Sequence, residues 1–82
     1  MKIHIAIKFS DMEKSIELVR LGNRIRDLRT SKGLSQAKLG MKILKDQQSI
    51  HKVEMGDFNP TYLYLLEICE GLEIKRSELL DF

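Results

Sequence analysis

Residues Ser35 to Glu54 read SQAKLGMKILKDQQSIHKVE, and this stretch decides the fold. Ser35 is a helix N-cap by residue type, and Leu39 and Ile43 follow it four residues apart. That spacing predicts a short helix over about 36–43 with those two side chains inward. Asp46 is the next N-cap candidate, and Ile50 and Val53 form the inward stripe of a second helix over about 47–54. Two helices this short, joined by a few residues, bury little alone and need bracing from helices before and after them. With Ile50 and Val53 turned in, Gln47, Gln48, Ser49, His51 and Lys52 face outward or partly so. All are polar and none is acidic, whereas a solvated helix face ordinarily mixes Glu with Lys. Gln can bond adenine in two places at once, and Ser can serve either base or phosphate, so this face has the chemistry that major-groove contact needs. A plain solvated face is the other reading of the same residues.

Upstream of this pair, Leu21, Ile25 and Leu28 recur at i, i+4, i+7, which predicts a bracing helix. Gly33, preceded by Lys32, is a natural C′ residue for it. Ser10-Asp11-Met12-Glu13 is a capping box, so a helix starts near 11 with Met12, Ile16 and Val19 as its apolar stripe. Whether that helix runs through Gly22 or breaks there is open, since Gly costs about 1 kcal/mol inside a helix. Residues 2–9 alternate instead: Ile3, Ile5, Ile7 and Phe9 on one side, Lys2, His4, Ala6 and Lys8 on the other. Period two with β-branched residues predicts a strand, and a lone strand leaves its backbone groups unpaired. Its cheapest partner is the same strand of a second copy; an arm lying on the core is the alternative. Downstream, Gly56 ends the second short helix and Asn59-Pro60-Thr61 forms a turn. Tyr62, Leu65, Leu66, Ile68, Cys69 and Leu72 build the next apolar face, and a last short helix carries Leu79, Leu80 and Phe82.

The chain has 82 residues, of which 43% are apolar and 32% charged. That fits one small globular domain and excludes a disordered chain. A net charge of +2 hides a polarity. From Arg20 to Lys52, nine basic residues oppose two acids; from Val53 to Phe82, two basic residues oppose seven acids. Such sorting suits one face for a polyanion, and solvated helix faces also produce it. Cys69 is alone, which excludes an intramolecular disulfide and fits a reducing compartment. The start lacks the long apolar run of a signal peptide, and no stretch approaches the roughly 20 apolar residues of a membrane span. The expected location is the cytoplasm, with nucleoid association when DNA is bound. His4, His51 and Cys69 fall on separate elements, so neither a metal site nor a cofactor is expected. No nucleophile–base pair stands out, and an enzyme is not expected.

Taken in order, Arg24-Ile25-Arg26, Leu28-Arg29, Gly33-Leu34-Ser35-Gln36, Leu39, Ser49-Ile50, Val53-Glu54, Gly56, Asn59-Pro60, Leu65, Ile68, Leu72 and Leu79 form a pattern. From Leu21 to Leu80 the chain resembles the Cro/C1-type (XRE-like, lambda-repressor-like) helix-turn-helix family, to which phage repressors belong. The resemblance implies an all-α, five-helix lambda-repressor-like DNA-binding domain over 21–82. To it the residue pattern adds an N-terminal extension over 1–20, a strand followed by a helix, as a candidate dimerisation arm. It implies a sequence-specific transcriptional regulator, a repressor by default, acting as a homodimer on a palindromic operator in double-stranded DNA. The alternative is an antitoxin-like interaction module that binds a toxin-like protein partner as well as DNA.

The resemblance also implies roles. Gln36 contacts a phosphate; Gln47, Gln48 and Ser49 face base edges or nearby phosphates; Lys52 reaches bases or backbone. Lys45 in the turn, and Arg24 and Lys42 on flanking helices, are candidate phosphate contacts. Arg29 and Glu54 match a structural ion pair that ties the first helix to the end of the recognition helix. Three positions depart from the family pattern. Gly40 stands where Ala is frequent. Leu44 stands where the turn usually has Gly at positive φ, so either Leu44 is strained or the turn is built differently. Lys75 stands where a small polar N-cap is common, which suggests a late start for the last helix.

Overall fold

The computed structural model describes residues 8–82. Five helices follow in order: α1 (Asp11–Ser31), α2 (Gln36–Ile43), α3 (Gln47–Glu54), α4 (Tyr62–Leu72) and α5 (Arg76–Leu79). No strand forms among the described residues. Of the strand expected over 2–9, residues 2–7 lie outside the described residues, and so does its pairing with a second copy. Lys8 and Phe9 are exposed and belong to no strand.

The capping box forms at the start of α1: the Ser10 hydroxyl accepts from the Glu13 N–H at 3.1 Å, and the Glu13 carboxylate accepts from the Ser10 N–H at 3.1 Å. The helix then runs unbroken through Gly22 for 21 residues. Gly22 is needed for packing rather than for bending. A Cβ there would sit 2.6 Å from the Val53 carbonyl oxygen and collide with that of Glu54. The missing side chain lets α1 lie against the end of α3, which offsets the helix-propensity loss. At its other end Gly33 takes φ +72°, and the Leu34 N–H returns to the Arg29 carbonyl at 3.2 Å. That closure turns the chain into α2.

Caps fix the next two helices. The Ser35 hydroxyl accepts from the Lys38 N–H at 3.1 Å, and the Asp46 carboxylate accepts from the Ser49 N–H at 2.7 Å. Between them Leu44 adopts the left-handed conformation, φ 57° and ψ 41°. Of the two readings open from sequence, the family turn is kept and Leu44 is strained. The Lys45 N–H reaches the Gly40 carbonyl at 2.9 Å, and a Cβ on Gly40 would collide with the Lys45 carbonyl oxygen. Gly40 is therefore what allows the chain to fold back so closely here.

α4 begins at its Thr61 cap, whose hydroxyl accepts from the Tyr64 N–H at 3.1 Å. It packs on α2 at Gly71, where a Cβ would meet Leu39 at 2.8 Å. The core is Ile25, Leu39, Ile43, Ile50, Val53, Tyr64, Ile68, Cys69, Leu72 and Leu79. On α4 the expected face is shifted. Tyr62 is exposed, Leu65 and Leu66 are half-buried, and Tyr64 is the buried tyrosine, because Tyr64, Ile68 and Leu72 share a four-residue spacing. α5 starts directly after Lys75, which caps it without a side-chain bond. Only Leu79 of α5 is buried; Leu80 and Phe82 remain about half exposed, at 56% and 47%.

Candidate nucleic-acid interface

α3 presents its N-terminal turn outward because Ile50 and Val53 are anchored in the core, 0% and 2% exposed. Gln47 and Gln48 open the helix and are both exposed, and among the described residues no hydrogen bond uses their side chains. Lys52, one turn on from Gln48, is exposed too. Gln48, Ser49 and Lys52 line a shallow groove with Asp46 and Phe58. Exposed Lys38 and Lys42 of α2 add positive charge on the helix that precedes the turn.

The orientation of α3 is held by a buried charge cluster at its far end. Arg29 of α1 grips Glu54 in a two-pronged pair, Nε to Oε2 at 2.6 Å and Nη2 to Oε1 at 2.9 Å. The third guanidinium nitrogen, Nη1, donates to the Leu34 carbonyl at 2.7 Å. The Gln36 amide of α2 donates to the same Glu54 carboxylate at 3.0 Å. One carboxylate thus joins α1, α2 and α3. Arg29 and Glu54 are 8% and 4% exposed, so loss of either partner would strand a desolvated charge.

α2 and α3, the second tipped with free amides and flanked by lysines, form the helix-turn-helix. A family model described as helix-turn-helix matches residues 25–79. The chain belongs to the Cro/C1-type helix-turn-helix family of DNA-binding transcriptional regulators. This regulator is 33% identical over 57 residues to YgzD of Bacillus subtilis, described as an uncharacterized HTH-type transcriptional regulator; the match covers 70% of this chain and 86% of the relative. Among solved structures, it is similar to the restriction-modification controller protein C.AhdI of Aeromonas hydrophila. That likeness has a TM-score of 0.77 and 37% identity, over 79% of this chain and 98% of the controller. A mutant of the controller protein C.Esp1396I also has a TM-score of 0.77, with 27% identity over 80% of this chain and 88% of that one.

Within the regulator, the residues singled out from sequence fall into two groups. Gln47, Gln48, Lys52 and Lys42 are exposed and free of side-chain hydrogen bonds or ion pairs among the described residues. The others are engaged internally. Gln36 is half-buried, donating to Glu54, with its amide nitrogen 3.4 Å from the His51 Nδ1. The Ser49 hydroxyl lies 2.6 Å from the Tyr64 hydroxyl. Lys45 sits 3.7 Å from the Glu67 carboxylate and 5.1 Å from the centre of the Tyr64 ring. Arg24 donates through Nε to the Glu78 carbonyl at 3.2 Å, joining α1 to α5.

Sequence reasoning missed Tyr64 and Phe58. Tyr64 holds Ser49 and packs at 6.2 Å against Phe58, which walls the groove beside Gln48. Burial pushes the Tyr64 phenol above its ordinary value; the Ser49 hydrogen bond opposes this, and Asp46 and Glu67 add to it. The spacing of Tyr64, Ile68 and Leu72 was the available signal. Burial also raises the Cys69 thiol, with Arg76 opposing, so Cys69 is a protonated core side chain.

Proposed function

We propose that the protein reads a two-fold DNA operator as a homodimer, each copy inserting the N-terminal turn of α3 into the major groove. The observation that carries this is the pair of exposed, unpartnered amides of Gln47 and Gln48 at the tip of a helix whose other face is locked into the core. Gln47 and Gln48 read base edges, and Lys52, Lys42 and Lys45 meet phosphates on either side. Ser49, held by Tyr64, and Gln36, held by Glu54, act at fixed positions, with the N-terminus of α2 offering backbone N–H groups to a phosphate. Arg24, joined to the Glu78 carbonyl, meets a phosphate only with the donors that bond leaves free. Arg29 and Glu54 set the angle of α3 and read nothing. One short helix reads only a few base pairs, so two half-sites about 34 Å apart supply the specificity. The protein acts by binding alone, in the cytoplasm, and represses by occluding a promoter. The domain over 21–82 carries the DNA contacts, and the extension over 1–20 carries self-association.

Selection from random duplex DNA tests this. The expected product is an inverted repeat with half-site centres about one helical turn apart. Gln48→Ala is expected to weaken the selected site by about 1–3 kcal/mol and to relax preference at one base position in each half-site. Enrichment of no sequence, or unchanged discrimination by Gln48→Ala, contradicts the proposal.

A further inference from the structure

Gly56 takes φ +77° just after α3, and the Asp57 N–H returns to the Lys52 carbonyl at 2.9 Å. The chain therefore turns back beside α3, and buried Pro60 anchors the far end of the loop. Phe58 lies between those two anchors. Its ring is tilted at 52° to that of buried Tyr64, with centroids 6.2 Å apart. Tyr64 is tied in turn to the Ser49 hydroxyl at 2.6 Å. Phe58 is nonetheless 43% exposed, and it lines the groove shared by Asp46, Gln48, Ser49 and Lys52. Packing on Tyr64 accounts for part of the ring and leaves the rest in water beside the reading face of α3.

We propose that Phe58 is a specificity-determining residue that takes the 5-methyl group of one thymine in each half-site. This deepens the operator reading above and rests on it. The thymine methyl is the one apolar group that base edges present in the major groove, and a phenylalanine wall can contact it. Charge and chemistry disfavour the other DNA group that could lie here, a phosphate. Asp46 lines the groove with a carboxylate that already accepts the Ser49 N–H at 2.7 Å, and the Phe58 ring has no donor to offer. Lys52, the one cation lining the groove, faces that negative charge. Gln48 supplies the register. A glutamine bonded in two places selects adenine, whose pairing partner is thymine. Successive bases rise by about 3.4 Å, so a thymine in the same pair or the next one carries its methyl into the same groove. The contact with Tyr64 holds the Phe58 ring in place before DNA arrives, so little side-chain freedom is lost on binding.

Deoxyuridine in place of thymine removes this methyl and leaves the pairing edge intact. The test is equilibrium binding of the full chain to its selected operator, at one fixed salt concentration, with each thymine replaced in turn. For the wild type, replacement at one thymine of a half-site, in or next to the pair that Gln48 reads, is expected to weaken binding about 4-fold, the effect of burying one methyl group. Phe58→Ala is expected to bind the thymine duplex more weakly and to lose the difference between the two duplexes. Phe58→Leu keeps an apolar wall and is expected to retain part of that difference. Gln48→Ala is expected to relax choice at its own adenine and to keep the methyl effect, so the two readers fail separately. An operator read through Gln48 but indifferent to every thymine methyl overturns this inference and leaves the operator reading standing. A methyl effect that persists in Phe58→Ala, or one that Phe58→Leu abolishes as fully as alanine does, also overturns it. Selection of no operator overturns both.

Discussion

Replacing Leu44 with glycine should stabilise the protein. Leu44 holds φ 57° and ψ 41° at the turn between α2 and α3, and its side chain is 91% exposed. An L-residue with a Cβ pays about 1–2 kcal/mol to sit in the left-handed region. Almost no buried contact is lost with the side chain. Glycine adds back about 0.5–1 kcal/mol of unfolded-state entropy. The difference leaves Leu44→Gly more stable by about 0.5–1 kcal/mol, which for a domain of this size raises Tm by about 2–8 °C. Thermal and urea unfolding followed by circular dichroism measure it. Leu44→Ala is the decisive control, because alanine keeps the Cβ and the strain while removing the exposed leucine. Should Leu44→Ala gain as much as Leu44→Gly, the gain comes from losing exposed apolar surface. Should Leu44→Gly lose stability, the reading of the turn is refuted.

Other outcomes follow from the same geometry. Glu54→Ala strands the buried Arg29 guanidinium and removes the acceptor for Gln36, and should cost about 3–5 kcal/mol, read by urea unfolding. A loss under 1 kcal/mol would show that water or another acceptor replaces the carboxylate. Tyr64 should make stability fall at high pH. Its phenol ionises above the ordinary 10.0 in the folded protein, so its contribution is full below pH 10 and is lost as pH rises through the folded value. Tyr64→Phe should flatten that part of the alkaline decline in stability above pH 10, and an unchanged profile would contradict it.

Most of the helical frame was legible because its signals are local. The Ser10, Ser35 and Asp46 caps, the glycine after α1 and the spacing of Leu39, Ile43, Ile50 and Val53 each act within a few residues. What needs three dimensions was not legible. Gly22 leaves open from its propensity whether the helix runs on or breaks, and only the backbone of Val53 and Glu54 beside it explains why the helix continues. Gly40 reads as a mild stand-in for alanine until the Lys45 carbonyl is seen against it. Tyr62 looked like the inward tyrosine of α4, but the register set by Ile68 and Leu72 buries Tyr64. The outward set on α3 was readable from polarity alone. That Ser49 is tied to Tyr64, and Gln36 to Glu54, was not, since each bond spans two helices.

The central claim, that the tip of α3 is the part that enters DNA, is tested most directly by amide chemical-shift mapping. Uniformly labelled protein is titrated with the selected operator duplex and with a scrambled duplex of equal length. The account predicts the largest operator-specific shifts at Gln47, Gln48 and Ser49, with smaller ones around Lys42, Lys45 and Lys52. Operator-specific shifts centred on α4 and α5, with α3 silent, would contradict it.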